Sequence, residues 1–550
     1  MREGIVGPGA CRGLALAAFL ALSGLPGCAR SGGVVAVRDS ASPAPGGRFV
    51  YPLPIEPISL DFVTGTDLAS SSVTRLIGDG LVDHDAAWNP VPRLAERWEW
   101  EDGGRALVFH LRQGVRFHDG IPLTSADVLF TYERAVNPKT RAVGRVESFL
   151  PVERVDAPDD RTVRVVYRRP FAPALQGWEM PILPRHLYAG KDPEGLNLQR
   201  APVGSGPFKF VSWESGRRIL LAANTDYWGG RPYLDLFDFE IIPSQDTALQ
   251  ALLAGEVDFA RLTPVQWQAH AGDASFERRF TGLRYTPFFM YDIAWRGDGS
   301  NPFFTDPRVR LAMTLALDRE GYVRSVLRGL GEVRSSPFRP AALGREGDLP
   351  VIPYDPARAA ELLDQAGWRI DQASGLRRKN GSPFRFTMLI YGVSEDHLQF
   401  SQVAQEGLRR LGITMDITRL DWPTLLTRLR SGRFEAALTG IAPSPDPDSM
   451  YTPLHSSQID GGQNYAAFRD SQVDTWLDEG RGTLDPARRR EIYRRIDALL
   501  QTQQPYTFLF SPVVQGAVAR RVGNVNAGAY GILDPYPGPA AFFILPGADR

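Results

Sequence analysis

The feature that most constrains this chain is the alternation of strand and helix signals through its second half. From Asp306 several helices open on an aspartate cap followed by proline, and the first two end on a glycine stop. The run DPRVRLAMTLALDREGYVRSVLRGLG predicts a helix capped by Asp306 and stopped at Gly329 or Gly331. YDPARAAELLDQAG predicts a second over Tyr354–Gly367. Strands are expected at Phe384–Tyr391, Ile413–Arg419 and Ala436–Ile441, with helices at His397–Leu411, Trp422–Ser431 and Asp485–Gln501. Such an order folds into an α/β domain around a largely parallel sheet. The apolar run Tyr506–Val514 is expected to rejoin the first half.

The first half is also mixed α/β. Val50–Leu60 reads as a strand and Thr74–Val82 as a helix ending near Gly80. Trp98–Trp100 and Ala106–Leu111 alternate apolar and polar residues around Asp102-Gly103-Gly104, a β-hairpin signal. His118-Asp119-Gly120 is a second tight turn. Thr124 or Ser125 caps a following helix, whose dipole Asp127 complements. Arg161–Tyr167, Phe208–Trp213, Arg218–Ala222, Asp235–Ile242 and Val257–Ala260 read as strands, and Ser244–Gly255 as a short helix.

The N-terminus reads as a targeting segment. Arg2 and Arg12 precede the apolar Leu14–Leu25, which is short for a bilayer span. Leu25-Pro26-Gly27-Cys28 looks like a bacterial lipobox, with Cys28 as the lipidation site; Pro26 departs from the usual small residue. The alternative is a plain secretory signal in which Cys28 is incidental. Ala29 stands where inner-membrane retention usually needs aspartate, so the outer membrane stays open. Residues 29–47 are rich in Pro, Gly and Ser and read as a flexible tether. The two cysteines, Cys11 and Cys28, both fall in the leader, so the mature body has no disulfide framework. That body of about 500 residues is long enough for roughly three domains. With 62 Lys+Arg against 63 Asp+Glu the whole chain has no global field for nucleic acid.

Catalytic signatures are missing. The sequence has no Gly-x-Ser-x-Gly and no His-Glu-x-x-His, and its seven histidines are dispersed, so neither a nucleophile elbow nor a zinc site is expected. Gly204-Ser205-Gly206-Pro207 lacks the Lys-Ser/Thr of a phosphate loop and precedes a strand, which makes it a turn. His118-Asp119 reads as a structural turn, with a catalytic pair as the alternative.

Two stretches carry a family resemblance. LVFHLRQGVRFHDGIPLTSADVLFTYERA (Leu107–Ala135) is followed by PVGSGPFKFVSWESGRRILLAANTDYWGGRPYLDLFDFEIIPSQDTALQALLAGEVDFA (Pro202–Ala260). In this order they resemble the peptide/nickel-type extracellular solute-binding proteins of ABC importers, family 5. The resemblance implies an α/β, periplasmic-binding-protein type II fold: two lobes with a hinge plus an extra small inserted domain. It places lobe I at 48–84, 204–284 and 507–550, the inserted domain II at 85–203 and lobe III at 285–506.

The resemblance implies a substrate-binding lipoprotein, not an enzyme and without cofactor or metal. Such a protein captures a peptide or other small solute between its lobes and passes it to permease subunits. It would be exported to the periplasmic or cell-surface side as a lipid-anchored monomer that binds no nucleic acid. The alternatives are a lipoprotein sensor or chaperone-like binder without its own permease, and a secreted hydrolase.

Cleft residues follow by position. Peptide binders of the family pair the cargo's ammonium with an aspartate on a lobe III loop. The matching stretch Leu438–Asp448 has no acid upstream of Asp446, which is either a substitute or an Asp-Pro turn residue. Tyr291 and Trp295 match the aromatic opening of lobe III, and Arg296 stands where the family has asparagine. Arg296 either points into the cleft, favouring anionic cargo, or is a solvated surface arginine. Asn464-Tyr465 match a cleft element, and Trp422 reaches either cleft or core.

Overall fold

The computed structural model describes residues 43–546 apart from 66, 86–88, 141, 143–145, 192–198, 288, 346–348, 393, 443, 445, 529–530 and 535. The leader with Cys28 and the tether up to residue 42 lie outside the described residues. Strand β1 (Arg48–Leu53) leads to helix α1 (Leu68–Ile77), which Asp67 caps by accepting the Ser70 amide and Gly78 ends. The helix therefore starts six residues before the expected position. Its serine run 70–72 masks an apolar side made by Ala69, Val73, Leu76 and Ile77.

Next comes the hairpin β2 (Ala95–Glu101) and β3 (Ala106–Leu111). Asp102, Gly103 and Gly104 turn it in the left-handed region, at φ 51°, 62° and 90°. Helix α2 (Ser125–Val136) opens on the capping box of Thr124 and Asp127. With β4 (Val152–Asp159) and β5 (Thr162–Tyr167) the hairpin forms an antiparallel sheet ordered β2-β3-β5-β4. The strands β6 (Phe208–Glu214), β7 (Arg218–Ala223) and β8 (Leu236–Ile241) join β1 in the order β1-β8-β7-β6, where only β1 and β8 run parallel. Then follow β9 (Phe259–Leu262) and β10 (Phe280–Tyr285). One apolar cluster runs from Phe49 and Phe237 to Phe109 and Trp178. The segment expected as an inserted domain thus has its own sheet but shares its core with the first lobe.

A second body begins at β11 (Met290–Trp295). The long helix expected after Asp306 is two helices, α3 (Pro307–Leu315) and α4 (Arg319–Ser325). Asp318 restarts the helix by accepting the Gly321 amide. The chain continues through β12 (Arg385–Tyr391), α5 (Glu395–Arg410), β13 (Thr414–Leu420), α6 (Trp422–Arg430) and β14 (Ala436–Ile441). It ends with α7 (Ser471–Gly482), α8 (Pro486–Gln503) and β15 (Tyr506–Phe508). The sheet order is β13-β12-β14-β11-β15. Strands β13, β12 and β14 are parallel, while β11 is antiparallel to both its neighbours.

Tyr506–Phe508 corrects one expectation. It pairs with β11 and is buried in the second body's core. Only β16 (Val514–Ala519), between β9 and β10, rejoins the first body. An apolar run next to a crossing does not announce which sheet takes it. The chain crosses twice, between Tyr285 and Met290 and between Pro512 and Val514.

Candidate functional site

The sequence signatures converge on one another. The His118 amide donates to the Gly204 carbonyl at 2.8 Å, and ring Nε2 lies 3.0 Å from the Gly206 carbonyl. The Gly204 amide donates to Nδ1 at 3.3 Å, so the ring is neutral with its proton on Nε2. Burial lowers the His118 pKa to about 4, although the Gly206 carbonyl opposes it. Asp119 turns instead to His186 at 2.7 Å, so residues 118 and 119 do not form a proton-relay pair. A Cβ on Gly206 would lie 2.6 Å from the Ile77 carbonyl carbon, because this turn sits against the end of α1. Asn224 donates to the Gly206 carbonyl at 3.0 Å. Trp228 and Tyr227, from the same NTDYWGG run, donate to Asp79 at 2.7 and 3.4 Å.

Asp79 begins one wall of a cavity of about 1080 Å³ between the two bodies. It is fully buried and also pairs with Arg93, whose guanidinium lies over Tyr536 at 4.2 Å. Burial raises the Asp79 pKa, and the Arg93 charge offsets only part of that. Beside it, His84 Nε2 is 3.0 Å from Asp534 Oδ1, and Arg75 is 3.2 Å from the same oxygen. Burial alone would lower the His84 pKa, yet hydrogen bonds to Asp534 and Glu179 raise it to about 9. Asp534 is lowered by His84 and Arg75 against its own burial.

The opposite wall belongs to the second body. In α/β sheets ligands collect beyond the carboxyl ends of the parallel strands. Here those ends present Tyr391, Trp422 and the loop after β14. Asp446, on that loop, accepts the Asp448 amide at 2.8 Å and is gripped by Arg489 through both oxygens at 2.5 and 2.6 Å. Pro447, Pro486, Arg489 and Arg490 complete this wall. The bodies also meet beside the cavity. Leu484 covers Gly104, Arg481 lies 5.6 Å from the Phe171 ring, and Arg169 pairs with Asp478 at 3.1 Å. Among the described residues no group of three or more His, Cys, Asp or Glu is placed to hold a metal ion.

Of the seven residues expected in the cleft, only Asp446 lines this cavity. Tyr291 is half-buried, donating to Asp396 at 3.1 Å beside His397. Trp422 is 52% exposed and lies edge-on to Tyr391, so it sits at the carboxyl ends of the parallel strands and not in the core. Three expectations are corrected. Trp295 is 1% exposed in the core and donates to Thr507 at 2.9 Å, which leaves no surface for cargo. Arg296 neither enters the cleft nor lies free on the surface: Asp298 at 2.7 Å and the Tyr465 carbonyl at 3.2 Å pin it in a buried position. Asn464 is buried, and its side chain bonds the carbonyls of Leu454, His455 and Phe468 and the Phe468 amide. Half-buried Tyr465 packs on the second body's core, and its carbonyl holds Arg296.

Sequence reasoning missed Arg75, His84, Asp534, Arg489 and Arg490. One signal was present: three successive arginines, 488–490, just inside a helix start, where the dipole favours acids. Asp534 gives no local signal.

The geometry agrees with the comparisons. The family model of bacterial extracellular solute-binding proteins, family 5 (middle region), matches residues 89–462. The chain is 31% identical over 513 residues to the oligopeptide-binding protein AppA of Bacillus subtilis (strain 168), covering 91% of this chain and 92% of that protein. The solved structure of the B. subtilis AppA in complex with a nonapeptide superposes with a TM-score of 0.76 at 28% identity, covering 92% of this chain and all of the other. That of AgaA from A. tumefaciens R10 with agropinic acid gives 0.72 at 25% identity, covering 90% and 99%. The chain therefore belongs to the bacterial extracellular solute-binding proteins of family 5.

Proposed function

We propose that this protein is the substrate-binding component of an ABC importer and that it takes peptide-like solutes into the cavity between its two bodies. The observation that carries the reading is the cavity itself: about 1080 Å³, at the upper end of small-molecule sites, and walled by both sides of a twofold chain crossing. AppA, similar over most of the chain, holds a nonapeptide. Apart from Arg490, the charged groups of the cavity pair with one another, and no nucleophile with an adjacent base is among its described lining residues, which supports capture without covalent chemistry. We propose lobe I at 48–84, 204–284 and from about 513 onwards, the inserted domain at 85–203 and lobe III between them. The working form is taken to be a monomer, with Cys28 carrying the lipid anchor on the periplasmic or cell-surface side.

Calorimetric titration of the purified mature protein with a pool of di- to nonapeptides tests the reading. Saturable binding by some members is expected. Heat from none of them, together with turnover of any, would remove it. Cys28→Ser should move the protein to the soluble fraction or stall its processing; unchanged membrane fractionation would contradict the anchor.

A further inference from the structure

The charges on the two walls of the cavity are unequal. On the first body's wall three cations, Arg75, His84 and Arg93, face four carboxylates, Asp79, Asp83, Glu179 and Asp534. On the second body's wall two arginines, Arg489 and Arg490, face the single carboxylate of Asp446. That carboxylate is occupied, because Arg489 engages both of its oxygens.

Arg490 is the residue left over. Its neighbours on α8 are all engaged: Arg488 with Glu479 at 2.7 Å, Arg494 with the Leu343 carbonyl at 2.8 Å, and Arg495 with Glu491 at 3.4 Å. Arg490 is half-buried, lines the cavity and has no hydrogen-bond or ion-pair partner among the described residues. A Cβ on Gly344 would lie 2.9 Å from Arg490 Cδ, so the side chain's stem is braced where a larger residue would displace it. It also sits in the second turn of a helix, the end that favours anions over cations. A braced guanidinium held against that preference, and facing a cavity, presents a planar fork to which a carboxylate can bind with two parallel hydrogen bonds.

We propose that Arg490 is a specificity-determining residue that receives the carboxylate of the cargo on the second body's wall, with any cationic end of that cargo directed to the acid-rich wall of Asp83 and Glu179. The inference rests on the peptide reading above and gives it a polarity: the cargo is anchored by its anionic end, and the carboxylate of Asp446 is not available to an ammonium.

The experiment takes the tightest-binding peptide of the pool in free and C-terminally amidated forms. It titrates both into the wild type, Arg490→Gln and Arg490→Lys. In the wild type, amidation is expected to weaken binding by about tenfold or more, the range of one desolvated charge pair. Arg490→Gln should weaken the free peptide by a similar factor and leave the amidated one within about threefold of wild type, with Arg490→Lys between. Melting temperatures of the variants, expected near wild type for this half-exposed residue, guard against misfolding. Equal affinity for the two peptide forms, or penalties from amidation and from Arg490→Gln that simply add, would overturn the inference while leaving the peptide reading intact. A wild-type protein that binds no peptide at all overturns both.

Discussion

The two walls of the cavity treat buried charge differently. On the first body, Asp79, Arg93, Trp228 and Tyr227 form one closed cluster and His84, Asp534 and Arg75 another, braced by the turn that His118 and Asn224 hold. On the second, a single Asp446–Arg489 pair lies nearer the surface beside Arg490, which has no partner among the described residues. The first arrangement makes a preorganised surface whose cost of charge burial is offset internally. The second leaves one guanidinium, Arg490, without a partner among the described residues. The family signatures fall on the first wall, and Arg490, proposed above to receive the cargo's carboxylate, falls on the second.

The sharpest way to break this contrast is to open each pair. Asp79→Ala leaves the buried Arg93 guanidinium with only the more distant Asp83, at 3.8 Å, and should cost ~3 kcal/mol of folding stability. Asp446→Asn, on the more exposed pair, should cost only ~1 kcal/mol. Denaturant titration measures both; equal losses would remove the distinction between the walls.

The second test uses pH. His118 has a folded pKa of about 4 against the ordinary imidazole value of 6.5, so the unfolded chain binds its proton first as pH falls. Its contribution is present above pH 6.5 and is lost between there and about 4, on the order of 3 kcal/mol. His84 works the other way: with a folded pKa of about 9, its contribution is full below 6.5 and is lost as pH rises through 9. Stability of His118→Gln should therefore lose its acid-side slope and keep its alkaline one. A variant whose whole profile parallels the wild type would contradict the neutral, doubly bonded ring.

Ligand should add to stability by mass action, about 2.7 kcal/mol at a hundred times Kd. A thermal-shift screen of peptides and anionic solutes reads it, and a flat screen would count against any specific cavity ligand. Smaller still is the effect of the cargo's amino end. N-acetylation of a bound peptide, or Asp446→Asn, should change affinity by less than tenfold, about 1.4 kcal/mol, because Arg489 already neutralises that carboxylate. A larger loss would mean that Asp446 leaves Arg489 to pair with an ammonium. Trp422→Ala should alter folding stability least, by less than about 0.5 kcal/mol, since the indole is half exposed.

Most of the secondary structure was legible because caps and periodicity are local. Asp306, Asp355 and Asp485 each cap a helix that opens on proline, as expected, and Asp421 caps one with proline at its second position. The site was much less legible. Trp295, Arg296 and Asn464 occupy positions beside the cleft in sequence, yet strand alternation and local hydrogen bonds turn their side chains into the core. The first body's wall joins residues as far apart as His84 and Asp534, a contact of topology that no local pattern contains. Asp446 was placed by its Asp-Pro step, but its partner Arg489 comes from a helix 43 residues later, and that partner decides what the aspartate can bind.

Hydrogen–deuterium exchange of the mature protein, with and without a saturating peptide, tests the central claim that cargo lies between the two bodies. The prediction is slowed exchange on both walls at once, over 68–84 on the first body and over 444–450 and 486–490 on the second. Protection confined to one body, or centred on the outer groove between Leu317 and Arg410, would contradict it.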